Sequence, residues 1–141
     1  FGAGTVVRTT VQRGSNVGDV ASGLSAPTGV LGRGGRFGDL QRLGSVGDDV
    51  ELHHMPQASR GFTSRADGGA IGMTAEHHAL TRTYRSLGAQ TRAAEESLSL
   101  SFRDTLARDI RDVRSIDRGY THALRETLDY YRANFPDLMR K

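Results

Sequence analysis

Four of the five histidines in this chain of 141 residues stand in two adjacent pairs, His53-His54 and His77-His78. Near neutral pH imidazole is the side chain that both accepts a proton and ligates a metal ion. Two pairs brought together can therefore divide base work from cation holding. Phosphodiester hydrolysis uses such a division, because a base must activate water while a cation offsets charge on the phosphorane and on the leaving oxygen. The chain has no cysteine, which removes disulfides, thiolate metal sites and cysteine nucleophiles together. The fifth histidine, His122, shares no motif with the pairs and reads as structural.

The elements that must position these pairs surround them. Val50-Glu51-Leu52-His53-His54-Met55 reads as a short strand stopped by Pro56, followed by a polar loop from Gln57 to Gly69. Ala70-Ile71-Gly72-Met73 reads as a second short strand, and Thr74 stands where a helix N-cap belongs. That helix is expected to run to Leu87, with Met73, Leu80, Tyr84 and Leu87 on one face and Gly88 as its stop. Neighbours on a strand point to opposite sides, so His53 and His54 cannot do the same job. At about 100° per residue, His77 falls beside the apolar stripe of the helix and His78 turns toward Arg82 and Arg85. Ser101 can cap a further helix with Phe102, Leu106, Ile110 and Val113 inside and Arg103, Asp104, Arg108, Asp109, Arg111 and Asp112 on the wet face. Gly119 breaks it. A last helix from about Tyr120 to Asn134 carries Tyr120, Leu124, Leu128 and Tyr131 inward and is closed by Pro136.

With 36% hydrophobic and 25% charged residues, the composition is that of one soluble domain. No run of about 18 apolar residues occurs, so no transmembrane helix is expected, and the N-terminus lacks a signal-peptide pattern. A start without Met reads as a processed or excised piece. The net charge of +3 conceals a skew, since Lys141 is the sole lysine among 19 basic residues. Arginine presents a planar fork of donors that matches phosphate oxygens. Of the 18 glycines only Gly88 and Gly119 follow Gly72, so residues 1–48, with runs such as Thr5-Val6-Val7, are expected to be a Gly-rich extended leader. Gly32-Arg33-Gly34-Gly35-Arg36-Phe37-Gly38 looks like a phosphate loop, but no GKS or GKT follows, and it reads as flexible basic linker. Residues 49–141 are the expected functional domain.

Val50 to His54, with Met55 and Pro56, followed by Ala70-Ile71-Gly72-Met73-Thr74 and His77-His78-Ala79-Leu80-Thr81, resembles the ββα-metal finger of HNH-type nucleases. The resemblance is to the toxin domains at the C-termini of Rhs and other polymorphic toxins. Glu51-Leu52-His53-His54 also resembles the nuclease domains of DNase colicins. His77 stands where these toxins often carry Asp, and Arg82 where the colicin pattern has a second helix His. The resemblance implies an α+β fold with the finger at about residues 49–88 and buttressing helices at about 90–135. It implies His54 as general base and His53 and His78 as ligands of one divalent metal ion, Mg²⁺ foremost, with Zn²⁺, Mn²⁺ or Ni²⁺ as alternatives. Glu51 becomes a supporting carboxylate, His77 a further ligand candidate, and Arg82 and Arg85 candidates for flanking phosphates.

The expected activity is metal-dependent endonucleolytic cleavage of DNA by a bacterial toxin. Such a protein is secreted, travels with its parent polypeptide and secretion machinery, and acts in a target cell's cytoplasm. Its producer would need a cognate immunity protein, acidic enough to meet the Arg-rich surface. Two rival expectations stand beside it. One is a non-catalytic Arg-rich nucleic-acid-binding module with strong salt dependence; the other is a toxin of different chemistry, such as a deaminase or an ADP-ribosyl transferase.

Overall fold

Small and apolar residues let one strand of this chain be covered on both faces. In the computed structural model, which describes residues 29–44 and 47–140, that strand is the central one of a three-stranded antiparallel sheet. The described elements, in chain order, are β1 (Gly34–Arg36), α1 (Phe37–Leu43), β2 (Val50–His54), β3 (Gly69–Thr74), α2 (Ala75–His78), α3 (Ser86–Ser97), α4 (Phe102–Ile116) and α5 (Thr121–Asn134). Short 3-10 turns lie at Ala58–Arg60 and Arg118–Tyr120. The sheet order is β1-β3-β2, with His53 opposite Ile71 and His54 opposite Ala70. The architecture is α+β.

The pleat of β3 sends alternate residues to two different packings. Ile71 and Met73 join Met55, Phe102, Leu106, Val113, Tyr120, Leu124 and Tyr131 in the larger core, built with α4 and α5. Ala70 joins Val30, Phe37 and Leu40 on the other face, under α1. Two glycines make the layers close enough. A Cβ on Gly34 would sit 2.1 Å from the Ala123 carbonyl oxygen, and one on Gly72 would sit 2.0 Å from that of Val30, so neither position admits a side chain. The Tyr131 hydroxyl accepts from Gly69 N at 2.6 Å and donates to Met55 O at 2.7 Å. One buried side chain thereby ties the end of β2 to the start of β3.

Several expectations change. Residues 34–43, expected as leader and basic linker, form β1 and α1: β1 pairs with β3, and Arg33 reaches Glu126 of α5 at 3.0 Å. Gly34 there serves close approach to α5 rather than flexibility, which composition does not distinguish. The run Thr5-Val6-Val7 lies outside the described residues. The helix capped by Thr74 stops at His78 instead of Leu87. Beyond it, Leu80 N and Thr81 N turn back to His77 O and His78 O in tighter i→i+3 bonds, and Arg82 N is taken by the Asp112 carboxylate at 2.8 Å. The intrahelical ladder is thereby replaced by a tertiary partner. Leu80 and Leu87 are consequently exposed, and Gly88, expected to end a helix, is buried within α3. Strands β2 and β3, the Thr74 and Ser101 caps, and the two C-terminal helices stand where the sequence puts them.

Candidate active site

The two faces of β2 carry different chemistry. Glu51 and His53 lie on the face toward α2, and Leu52 and His54 on the face toward α1, as strand alternation requires. All four line one open cleft of about 540 Å³, together with Phe37, His78, Arg65 and the polar residues Gln57, Ser59 and Thr83. Among the described residues β2 is an edge strand, with no strand on its outer margin.

His54 stacks on Phe37, with ring centroids 4.1 Å apart. Its Nε2 lies 2.9 Å from the Arg65 carbonyl oxygen. A carbonyl only accepts, so Nε2 carries the hydrogen and Nδ1 keeps the lone pair. Burial lowers the His54 pKa, opposed by the bond to Arg65 O and reinforced by the Arg65 charge. The ring is thus oriented and neutral, as a general base must be before it acts.

His53 is 2% exposed, and its Nε2 is buried without a hydrogen-bond partner among the described residues. Burial first, and His78 second, drive its pKa down to about 3. A neutral imidazole with a buried, unused ring nitrogen is a costly arrangement on its own, and it has the donor form that a metal ligand needs. The His78 ring lies 5.3 Å away, edge to face. His78 Nδ1 is 2.6 Å from Glu51 Oε1, a carboxylate–imidazole pairing that leaves Nε2 as the coordinating atom. Among the described residues no group of three or more His, Cys, Asp and Glu is arranged to hold a metal ion. His53 and His78 would hold a divalent ion that keeps most of its water, rather than close a zinc site.

His77 turns the other way. Its Nδ1 lies 2.7 Å from the Tyr120 hydroxyl, its Nε2 is 3.9 Å from Asp117, and its main-chain N is capped by Thr74. It joins α2 to the turn before α5 and does not line the cleft. His122 lies on the surface of α5, its side chain 72% exposed and 3.5 Å from Glu126, rather than in the core.

The arginines singled out in the sequence are outside the cleft lining. Arg82 donates to Asp109 Oδ1 at 2.5 Å and to Glu95 Oε2, and both carboxylates are 1% exposed. Arg60 completes the group, 3.0 Å from both Glu95 Oε1 and Thr105 Oγ1. Asp109, expected on the wet face of α4, is buried with Arg82 as its cation. Arg85 is exposed, at φ 50°, with its guanidinium carbon 5.2 Å from the Tyr84 ring centroid. Sequence reasoning missed the Arg60–Glu95–Arg82–Asp109 group and the cleft residues Phe37 and Arg65. Nothing in their spacing marks them, since each partner comes from a distant part of the chain.

Burial pushes the Asp109 carboxyl up to about 7, against the pull of Arg82. A folded pKa above the unfolded one gives stability that is full below the unfolded value and is lost as pH rises through the folded value. The stability of the wild type relative to Asp109→Asn should therefore fall as pH rises from 3.8 to about 7. Urea unfolding of both proteins across that range measures it, and a flat difference would show that Asp109 is ionised throughout.

No family model matches this chain, and no curated protein or solved structure matches it.

Proposed function

We propose that this protein is a metal-dependent endonuclease of the HNH type, a toxin domain built on a ββα-metal finger formed by β2, β3 and α2, with DNA as substrate. One observation carries the reading. A neutral, carbonyl-oriented His54 and the His53–His78–Glu51 group approach a single cleft from opposite faces of one strand. Such a separation of base from cation ligands is what hydrolysis of a phosphodiester requires.

In the proposed reaction His54 Nδ1 takes a proton from water as the water oxygen forms a bond to phosphorus. The bond from phosphorus to the 3′ oxygen breaks in line with it, the leaving oxygen is protonated by solvent, and a 5′-phosphate end results. A divalent cation, which His53 and His78 would hold, supplies positive charge at the phosphorane and the leaving oxygen. Glu51 fixes the tautomer of His78, and the Arg65 carbonyl fixes that of His54. The toxin context rests on the sequence resemblance, and with it the proposals of bacterial secretion, delivery to a target cell and an acidic immunity partner.

Supercoiled plasmid incubated with Mg²⁺ or Mn²⁺ should be nicked, with the activity abolished by EDTA; a single-stranded RNA run in parallel tests the choice of DNA. Binding without cleavage in every metal would overturn the enzyme reading in favour of a nucleic-acid-binding module. The ligand set has its own readout. In calorimetric titration with Mn²⁺, His53→Ala and His78→Ala should each lose heat of binding, while His77→Ala binds as the wild type does and loses about 1 kcal/mol of stability with its Tyr120 contact. A metal-free His77→Ala beside a metal-binding His78→Ala would reverse the assignment.

A further inference from the structure

Arg65 is the cation the cleft leaves uncommitted. It is exposed, lines the cleft beside His54, and its side chain forms no ion pair and no hydrogen bond among the described residues. Its guanidinium carbon lies 4.9 Å from the centroid of the Phe37 ring, the same ring that stacks on His54. A guanidinium held over an aromatic face keeps its N–H edges free in its own plane, where they can fork onto two oxygens of one phosphate.

The backbone around this residue is fixed. Phe37 N donates to Gly68 O at 2.8 Å and Gly38 N to Ala66 O at 2.9 Å. Arg36 Nε donates to Asp67 Oδ1 at 2.9 Å, and the Tyr130 hydroxyl donates to Asp67 O at 2.5 Å. The loop that carries Arg65 is thereby fastened to α1 and α5 just past the residue itself. A cation both stacked and anchored loses little rotamer freedom when it takes a ligand. The neighbouring cations lack this availability: Arg36, Arg60 and Arg82 are each paired with carboxylates.

We propose that Arg65 binds the backbone phosphate of the nucleic acid in this cleft, directly beside His54. The proposal deepens the nuclease reading and rests on it. One residue then has two tasks: its side chain captures the phosphate, and its own carbonyl orients the base that activates water against it. Loss of the side chain leaves the carbonyl in place, so the two tasks are separable by mutation.

The probe is a fluorescein-labelled 20-base-pair DNA duplex, with an RNA duplex of the same sequence, bound in EDTA and followed by anisotropy across a salt series. Arg65→Gln should weaken binding about 10-fold near 0.1 M salt and reduce the slope of log affinity against log salt by about 1. Arg65→Lys keeps a point charge without the fork, so it should restore the slope while recovering only part of the affinity. Arg132→Gln, which removes an exposed arginine of α5 outside the cleft, controls for net charge and should change the slope by less. With metal present, nicking by Arg65→Gln should fall about 10²-fold at saturating DNA, because a donor on the reacting phosphate acts in the transition state.

Equal slopes for Arg65→Gln and wild type, or an equal loss in Arg132→Gln, would overturn the phosphate site. A wild type that binds through Arg65 and cuts neither DNA nor RNA would overturn the nuclease reading and leave the phosphate site standing. Unchanged nicking by a folded Arg65→Gln would remove Arg65 from the reacting phosphate. Melting curves of both Arg65 variants should lie close to the wild type, since the exposed side chain makes a contact with the Phe37 ring and no ion pair or hydrogen bond among the described residues.

Discussion

On the proposed nuclease reading, His54→Ala should lower plasmid nicking by about 10²- to 10⁴-fold, the range that general-base catalysis contributes, and should leave Mn²⁺ binding and the fold in place. The expected separation follows from where the ring is held. His54 lies on the α1 face of β2, stacked on Phe37 and bonded to Arg65 O, while His53 and His78 meet on the α2 face. Removing His54 takes a half-buried ring from Phe37 and leaves Arg65 O to water, at a cost of about 1 kcal/mol. Neither loss reaches His53 or His78. Circular dichroism, Mn²⁺ calorimetry and the nicking assay on one preparation test all three parts. Near wild-type rates would remove His54 from the base role, and loss of metal binding would place it among the ligands.

Arg82→Ala should be the most destabilising single substitution of a surface-accessible charge in this protein, at about 3–5 kcal/mol. Its guanidinium joins Glu95 of α3 to Asp109 of α4, both 1% exposed, and only Arg60 remains to balance them once it is gone. Stranded carboxylates in a desolvated site must protonate or draw in water, and either disrupts the packing of α3 and α4. Arg85→Ala, three residues on and exposed, should change stability by no more than about 0.5 kcal/mol. Urea unfolding of the two variants distinguishes them. If Arg82→Ala unfolds within about 1 kcal/mol of wild type, the buried group is not what holds these helices. The same experiment separates structure from function, because any loss of DNA binding in Arg82→Ala should track the folded fraction instead of the salt slope.

The local chemistry of the chain was written in its order of residues. Val50 to His53 alternates apolar and polar residues and the run is stopped by Pro56, which suffices for a strand with its two histidines on opposite faces. Thr74 and Ser101 cap helices because each hydroxyl accepts from the main-chain N–H three residues on, His77 and Asp104 respectively, a bond that needs no distant partner. The stripe of Phe102, Leu106 and Val113 faces the core for the same reason: its period is that of the helix that carries it.

What the order of residues leaves open is whatever a distant partner decides. The wheel that sets His77 inward assumes a helix to Leu87, and that helix ends at His78 because Asp112, 30 residues away, captures the Arg82 N–H. Asp109 reads as a solvated charge and Arg82 as a phosphate contact until α3 and α4 bury Glu95 and Asp109 beneath the guanidinium. The Gly-rich run before Gly38 reads as linker until β1 pairs with β3 and α5 approaches the Gly34 backbone too closely for any side chain. Local periodicity and capping act over about four residues and are therefore legible in sequence. Desolvation and backbone contact act across the folded body, and only the tertiary structure decides which arginine is buried with its partners and which, like Arg65, is left facing the cleft.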